Sequence, residues 1–378
     1  MKTEDMEPDV GTDAGADVEI DVGRMELSSY MLAVIEKLKH EQKYAAAHGY
    51  LCALHSFQDF AGGRGVPLPM NEVFRPERLK AYEEWLMQKK ARPLKPNSVT
   101  CYMSSLRAVY NRWMPAGTPG HDAKMFADVH TRVVSQTKRA LREWQMEKVL
   151  ADGRTGNPIA KPAGTLTKEV AGTLMKEAAG TPIAKPADRL HITGQAALDY
   201  FRLMFLCRGM PFIDLAHLRK RDLQGRYLVY LRHKTRRPMR VELCPEALRL
   251  LRKYGKENPD SPYLLPILGA DTPGGWELYK DYQDALRLFN RDLARAMEFL
   301  LPGVRISSYT ARHTWATLAY HMGLPLGVIS QSLGHASIRV TETYLKPFEN
   351  ERLDKANKQL IAAVKKGKWK KFANNNIL

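Results

Sequence analysis

The chain has 378 residues, with 58 lysines and arginines against 41 acids and a formal net charge of +17. That length admits two domains with separate cores, and the positive excess points to a polyanionic partner, nucleic acid first. Four scattered cysteines (Cys52, Cys101, Cys207, Cys244) form no Cys-x-x-Cys pair, which argues against a zinc ribbon or redox motif; no long uncharged apolar run marks a signal or a span, so a reducing cytoplasm without a membrane is expected.

Charge is unevenly spread. Residues 1–27 hold nine acids against Lys2 and Arg24, so the body is more basic than the whole. This segment has no helical stripe and reads as an acidic, disordered tail. Residues 28–150 read as a helical domain. Tyr50, Ala53, Leu54, Phe57 and Ala61 make one apolar face, ended by Gly62-Gly63. A further helix starts at Pro76 and carries Leu79, Tyr82 and Leu86. Another is predicted from Asn97 or Ser98 as N-cap, with Val99, Tyr102, Leu106, Val109 and Trp113 on one side. The loop between them holds Lys89, Lys90, Arg92 and Lys95, which run into a helix N-terminus and are candidates for phosphate contact.

Residues 151–187 repeat themselves. Pro158 to Ala163 recurs at Pro182 to Ala187, around two near-copies of Gly164 to Ala171. Units this short cannot build a solenoid core, so a low-complexity linker is expected. Residues 188–364 turn globular again. A helix over Ala196 to Cys207 breaks at Arg208-Gly209-Met210-Pro211, and Phe212 to Leu218 resumes it. Tyr227 to Leu231 and Met239 to Leu243 make a hairpin whose turn carries Arg232, Lys234, Arg236 and Arg237, the three arginines being candidate DNA contacts on an exposed turn. Helices follow over Pro245 to Tyr254, Gly275 to Leu300, Tyr309 to Met322 and Glu349 to Val364, before a basic tail at 365–378.

The last quarter holds the chemistry. Arg312 is a permanent cation with a planar donor fork suited to phosphate oxygens. His335 follows Leu333-Gly334 at a helix end, and Tyr344 lies nine residues on, in a short run from Ile338 to Leu345. A phenol beside a cation and an imidazole is a candidate nucleophile.

Here the chain resembles the tyrosine recombinases, the phage integrase family, whose pattern is His-x-x-Arg, then Leu-Gly-His, then a Tyr nine residues later. Arg312, Leu333-Gly334-His335 and Tyr344 match in type and spacing, and the likeness runs back to about Ser28. It implies a mainly α fold: an N-terminal SAM-like helical core-binding domain, then an α+β catalytic domain with a small β-hairpin sheet. Tyr344 would attack a phosphodiester, leaving a 3′-phosphotyrosyl link. Lys234 on the hairpin would protonate the leaving oxygen, and no cofactor or metal is called for. The partners implied are double-stranded DNA with inverted half-sites and further copies of the chain, as a dimer on a site and a tetramer in synapsis, near the nucleoid. An accessory DNA-bending protein fits the same scheme, and the C-terminal helix would pack into a neighbouring protomer. Two other readings stand beside it: a type IB topoisomerase and a DNA-binding regulator that has lost cleavage.

Two positions depart from the pattern. Aligning the family's Glu with Asp214 puts Pro211 where the first catalytic Arg belongs; Arg208 stands three residues earlier and is preferred to Arg219. Reach from Arg208 assumes helical backbone there. Arg208-Gly209-Met210-Pro211-Phe212 also resembles a mobile-element integrase and invertase branch. Tyr309 occupies the first position of His-x-x-Arg, shares a helical face with Arg312, and is expected to assist; His313 is expected to support the fold.

Overall fold

The computed structural model describes residues 25–88, 93–132, 139–152, 194–256, 259–345 and 350–365. Lys89, Lys90 and Arg92, the repeats, the acidic tail up to residue 24 and the basic tail from residue 366 lie outside the described residues. The chain forms two compact units, Met1–Ser135 and Gln136–Leu378.

The first unit is a helical bundle: α1 (Leu27–His40), α2 (Tyr44–Phe60), the single turn α3 (Met70–Val73), α4 (Pro76–Gln88) and α5 (Pro96–Trp113). The apolar stripes read from the sequence are its core, with Leu54, Phe57, Leu79, Tyr82, Val99 and Leu106 buried together. α5 begins earlier than its predicted N-cap: Lys95 takes that position and Pro96 the first turn. Proline fits there because its missing N–H is one that no helix bonds anyway. Residues 114–132 fold back over the bundle. Buried Glu83 pins them, accepting from the His130 backbone N–H at 2.6 Å and its Nδ1 at 2.7 Å, with Lys80 Nζ at 2.8 Å.

The second unit contains α6 (Glu143–Asp152), α7 (Gly194–Leu206), α8 (Phe212–Ala216), a 3-10 turn (Lys220–Asp222), strands β1 (Leu223–Gln224), β2 (Tyr227–Leu231) and β3 (Pro238–Glu242), then α9 (Pro245–Lys256), α10 (Trp276–Leu300), α11 (Ser308–His321), α12 (Leu326–Leu333), α13 (Ile338–Glu342) and α14 (Asn350–Lys365). The strands form one antiparallel sheet in the order β1-β2-β3, with Tyr230 opposite Met239. Alternation decides its faces: Leu228, Tyr230, Met239 and Val241 point into the core. The short β1 was not legible in the sequence, since two residues carry no period. α7 is the central helix, packed by α9, α10 and α11.

α6 belongs to this second unit rather than to a domain running to residue 150. Met146 and Val149 enter its core, and the Val149 carbonyl accepts from Arg202 Nε at 2.8 Å. Arg202 is fully buried and paired with Asp199 at 2.8 Å; Tyr254 donates to the same carboxylate at 2.8 Å. A buried guanidinium needs such partners, because stripping its water uncompensated costs several kcal/mol. Among the described residues, no helix is long and apolar enough to cross a membrane.

Candidate active site

The site is assembled where α11, the end of α12 and the β2–β3 turn meet. Ser307 is the N-cap of α11, and its backbone N–H donates to Thr310 Oγ1 at 3.0 Å in a capping box. That start puts Arg312 in the second turn, facing inward and only 2% exposed. Its Nη1 donates to Gly209 O at 2.8 Å and its Nη2 to Leu333 O at 2.5 Å. Leu333 ends α12, where helix carbonyls lack internal partners and concentrate negative potential.

A second guanidinium converges on the same carbonyl. Arg232, 5% exposed, donates through Nη1 to Leu333 O. Its Nε lies 3.0 Å from Asp214 Oδ2, a charge contact without the alignment of a hydrogen bond. The other Asp214 oxygen accepts from the His233 backbone N–H at 2.9 Å. Among the described residues, two buried cations and one buried carboxylate therefore sit together, leaving a net positive charge. Burial, then the like charge of Arg232, lowers Arg312 to about 10, which leaves it protonated at neutral pH. Burial raises the Asp214 carboxyl, against the opposite pull of Arg232.

Arg232 was expected from the sequence only as a DNA contact on an exposed turn. The structure buries it in the cluster instead. Its hint was local: it follows the last β2 residue and alternates with buried Leu228 and Tyr230. Arg208 is not brought there. α7 stops at Leu206, and Arg208 and Gly209 are left-handed, with φ of 59° and 65°. The helical backbone assumed for its reach is absent, and its Nη1 approaches Arg240 O at 3.4 Å. Arg219 caps the 3-10 turn, its backbone N–H donating to Asp222 at 2.8 Å.

Two glycines make the convergence fit. A Cβ on Gly209 would stand 3.1 Å from Arg312 Cα, and one on Gly334 3.0 Å from Met239 Sδ and 3.1 Å from Arg232 Cγ. Both have positive φ, the region that L side chains avoid.

His335 follows Gly334 and is 5% exposed. Its Nδ1 is 2.8 Å from Thr341 Oγ1, while the buried Nε2 has no hydrogen-bond partner among the described residues. Burial and then Arg312, Arg232 and Lys234 lower it to about 3, so it is neutral at physiological pH. Tyr344 lies two residues beyond α13, in a turn rather than within the helix. Its ring stands between two imidazoles, His335 and His313, each at 4.8 Å, with Arg312 Cζ at 5.5 Å. His313 thus does more than fill the core: its Nδ1 reaches the Tyr344 carbonyl at 3.3 Å and holds the turn. Tyr309 is 57% exposed on the same helix, 6.4 Å ring to ring from His313; burial of the phenol and the nearby Tyr344 raise its pKa.

Lys234 and Arg236 are exposed on the hairpin turn, and Arg236 takes a left-handed φ of 56°. Arg237 is tied down, donating to His335 O at 2.5 Å. Lys95 is exposed at the start of α5 in the first unit.

A family model for the phage integrase family matches residues 165–351, and one for the phage integrase SAM-like domain matches residues 26–117. This chain belongs to the phage integrase family. A curated tyrosine recombinase from Pseudothermotoga lettingae (strain ATCC BAA-301 / DSM 14385 / NBRC 107922 / TMO) is 38% identical over 56 residues, 15% of this chain and 20% of that protein. The chain therefore matches about a fifth of that relative's length. Among solved structures, a lambda integrase dimer bound to a COC′ core site is similar with a TM-score of 0.52 and 16% identity, over 85% of this chain and 95% of that one. The Tn1549 transposon integrase in complex with transposon right end DNA has a TM-score of 0.51 and 13% identity, over 89% of this chain and all of the other. At such identities the likeness is one of fold, and it agrees with the mainly helical architecture of this chain, a SAM-like domain followed by a catalytic-type domain.

Proposed function

We propose that this chain is a site-specific DNA recombinase that cuts and rejoins DNA through Tyr344. The observation that carries the reading is the convergence of buried Arg232 and Arg312 on Leu333 O, beside the Tyr344 ring and a His335 Nε2 that has no hydrogen-bond partner among the described residues. A phosphodiester is the anion this cluster suits, because it supplies the missing negative charge and several acceptor oxygens. The Tyr344 oxygen forms a bond to phosphorus and the bond to the 5′-oxygen breaks. Lys234 gives that oxygen its proton, leaving a 3′-phosphotyrosyl link and a free 5′-hydroxyl. The two guanidiniums hold the non-bridging oxygens, and Arg232 takes the part that Pro211 leaves unfilled. The Thr341 hydroxyl can serve either tautomer of His335, so Nε2 can accept the phenol proton or donate to phosphate. Tyr309 adds a hydroxyl from the exposed side.

The wider reading has two copies on inverted half-sites, pairing as a tetramer for inversion, integration or excision. The relatives' names, a dimer on a core site and an integrase on a transposon end, support it as analogies of fold. Basic residues of the hairpin turn and of the loop before α5 would face DNA. The test is long-read sequencing of DNA from cells that carry the native locus and express either the native chain or Tyr344→Phe. Segments bounded by repeats that switch arrangement only with the native chain are expected, and they define the site. Identical arrangements, with no protein–DNA adduct trapped, would leave a DNA-binding protein without cleavage.

A further inference from the structure

The hairpin turn that carries Arg232 and Lys234 is gripped from several sides. It closes on itself, with Arg232 N donating to Arg237 O at 2.8 Å and Arg236 N to Arg232 O at 2.9 Å. Toward α12, Thr235 Oγ1 donates to Gly334 O at 3.3 Å and Arg237 to His335 O. On the α8 side, the His233 backbone is held by Asp214, and the His233 ring lies 4.8 Å from that of His217.

His217 is itself fixed. It caps the C-terminus of α8, half-buried, and its Nδ1 donates to Ile213 O at 2.8 Å, which sets tautomer and ring plane. Tyr282 of α10 stands behind it, 5.6 Å between ring centres. Burial lowers His217 to about 4 and lowers His233 as well, so the two rings meet uncharged at neutral pH. A rigid helix end thus presents an imidazole to the residue immediately before Lys234.

We propose that His217 is a positioning residue for the hairpin: its ring, braced by Tyr282 and set against His233, holds the turn so that Lys234 meets the leaving 5′-oxygen. This rests on the recombinase reading above. His217 touches neither DNA nor the reacting atoms and acts through Lys234. The proton given to the 5′-oxygen when its bond to phosphorus breaks comes from Lys234 Nζ. A sulfur in place of that bridging oxygen leaves as a thiolate and needs no proton, because thiols are far stronger acids than alcohols.

The experiment uses the full chain and two duplexes carrying the site mapped by the sequencing above. One has the ordinary bridging oxygen at the scissile phosphate, the other a 5′-bridging sulfur, and covalent adduct is followed on denaturing gels. His217→Ala is expected to slow adduct formation about tenfold or more on oxygen, yet to stay within about threefold of native on sulfur, as Lys234→Ala does. His217→Phe, which keeps a ring against His233, is expected within about threefold of native on both. Equal losses for His217→Ala on both substrates would overturn the proposal in favour of a purely structural role. Native rates for His217→Ala on both would overturn it as well. If the native chain forms no adduct on either duplex, the recombinase reading itself falls, and this role with it.

Discussion

Replacing Asp214 by Asn tests the charge balance of the cluster. The substitution keeps the side-chain shape and an oxygen for the His233 N–H, so the change is electrostatic. Asp214 Oδ2 lies 3.0 Å from Arg232 Nε, with side-chain exposures of 0% and 7%. At an effective dielectric constant near 20, two unit charges about 4 Å apart attract by about 4 kcal/mol. Breaking a buried pair by removing one partner costs about 3–5 kcal/mol, because the survivor stays buried and uncompensated. Here two guanidiniums survive, so Asp214→Asn is expected to destabilise the second unit by about 3 kcal/mol. Urea unfolding followed by circular dichroism would measure it, with Arg232→Met and the double variant completing the cycle. The double variant should recover at least about 2 kcal/mol relative to the sum of the singles. Additivity within about 0.5 kcal/mol would refute the claim that this carboxylate holds Arg232 in place.

Arg232→Ala should lower adduct formation by about 10²–10³, as loss of a transition-state donor does, while Arg208→Ala falls by less than about tenfold; the reverse order in a trapped-adduct assay would return the first arginine role to Arg208. Gly209→Ala should destabilise the second unit by about 2–4 kcal/mol, from its left-handed φ and the contact with the Arg312 backbone, read as a lower urea midpoint at unchanged slope. His335, depressed to about 3, binds its proton more readily unfolded than folded, so stability contributed above pH 6.5 is lost as pH falls toward 3. His335→Asn should flatten that acid slope by about one proton, roughly 1.4 kcal/mol per pH unit, in urea melts between pH 6 and pH 4.

Helices such as α2 and α5 were legible because their apolar residues recur at helical spacing over three or more turns, as with Val99, Leu106 and Val109. Tyr344, Arg312 and His335 were legible as an ordered set in one contiguous quarter of the chain. Arg232 was not, since its neighbours on the turn are exposed cations and the alternation with Leu228 and Tyr230 that hints at its burial reaches it only past the end of the strand.

By itself, the sequence determined that the chain is basic, mainly helical, and equipped with a tyrosine, an imidazole and an arginine in recombinase order. Periodicity and motif spacing are properties of neighbouring residues, so they survive without a fold. The tertiary structure decided which arginine lies beside Arg312, that His313 and His335 flank Tyr344, and that Asp214 and the Leu333 carbonyl offset part of the cluster's positive charge. Those choices depend on buried groups up to about a hundred residues apart, such as Arg232 and Leu333 or Gly209 and Arg312, meeting in the fold. There, burial and counter-charge rather than residue type fix what each side chain does.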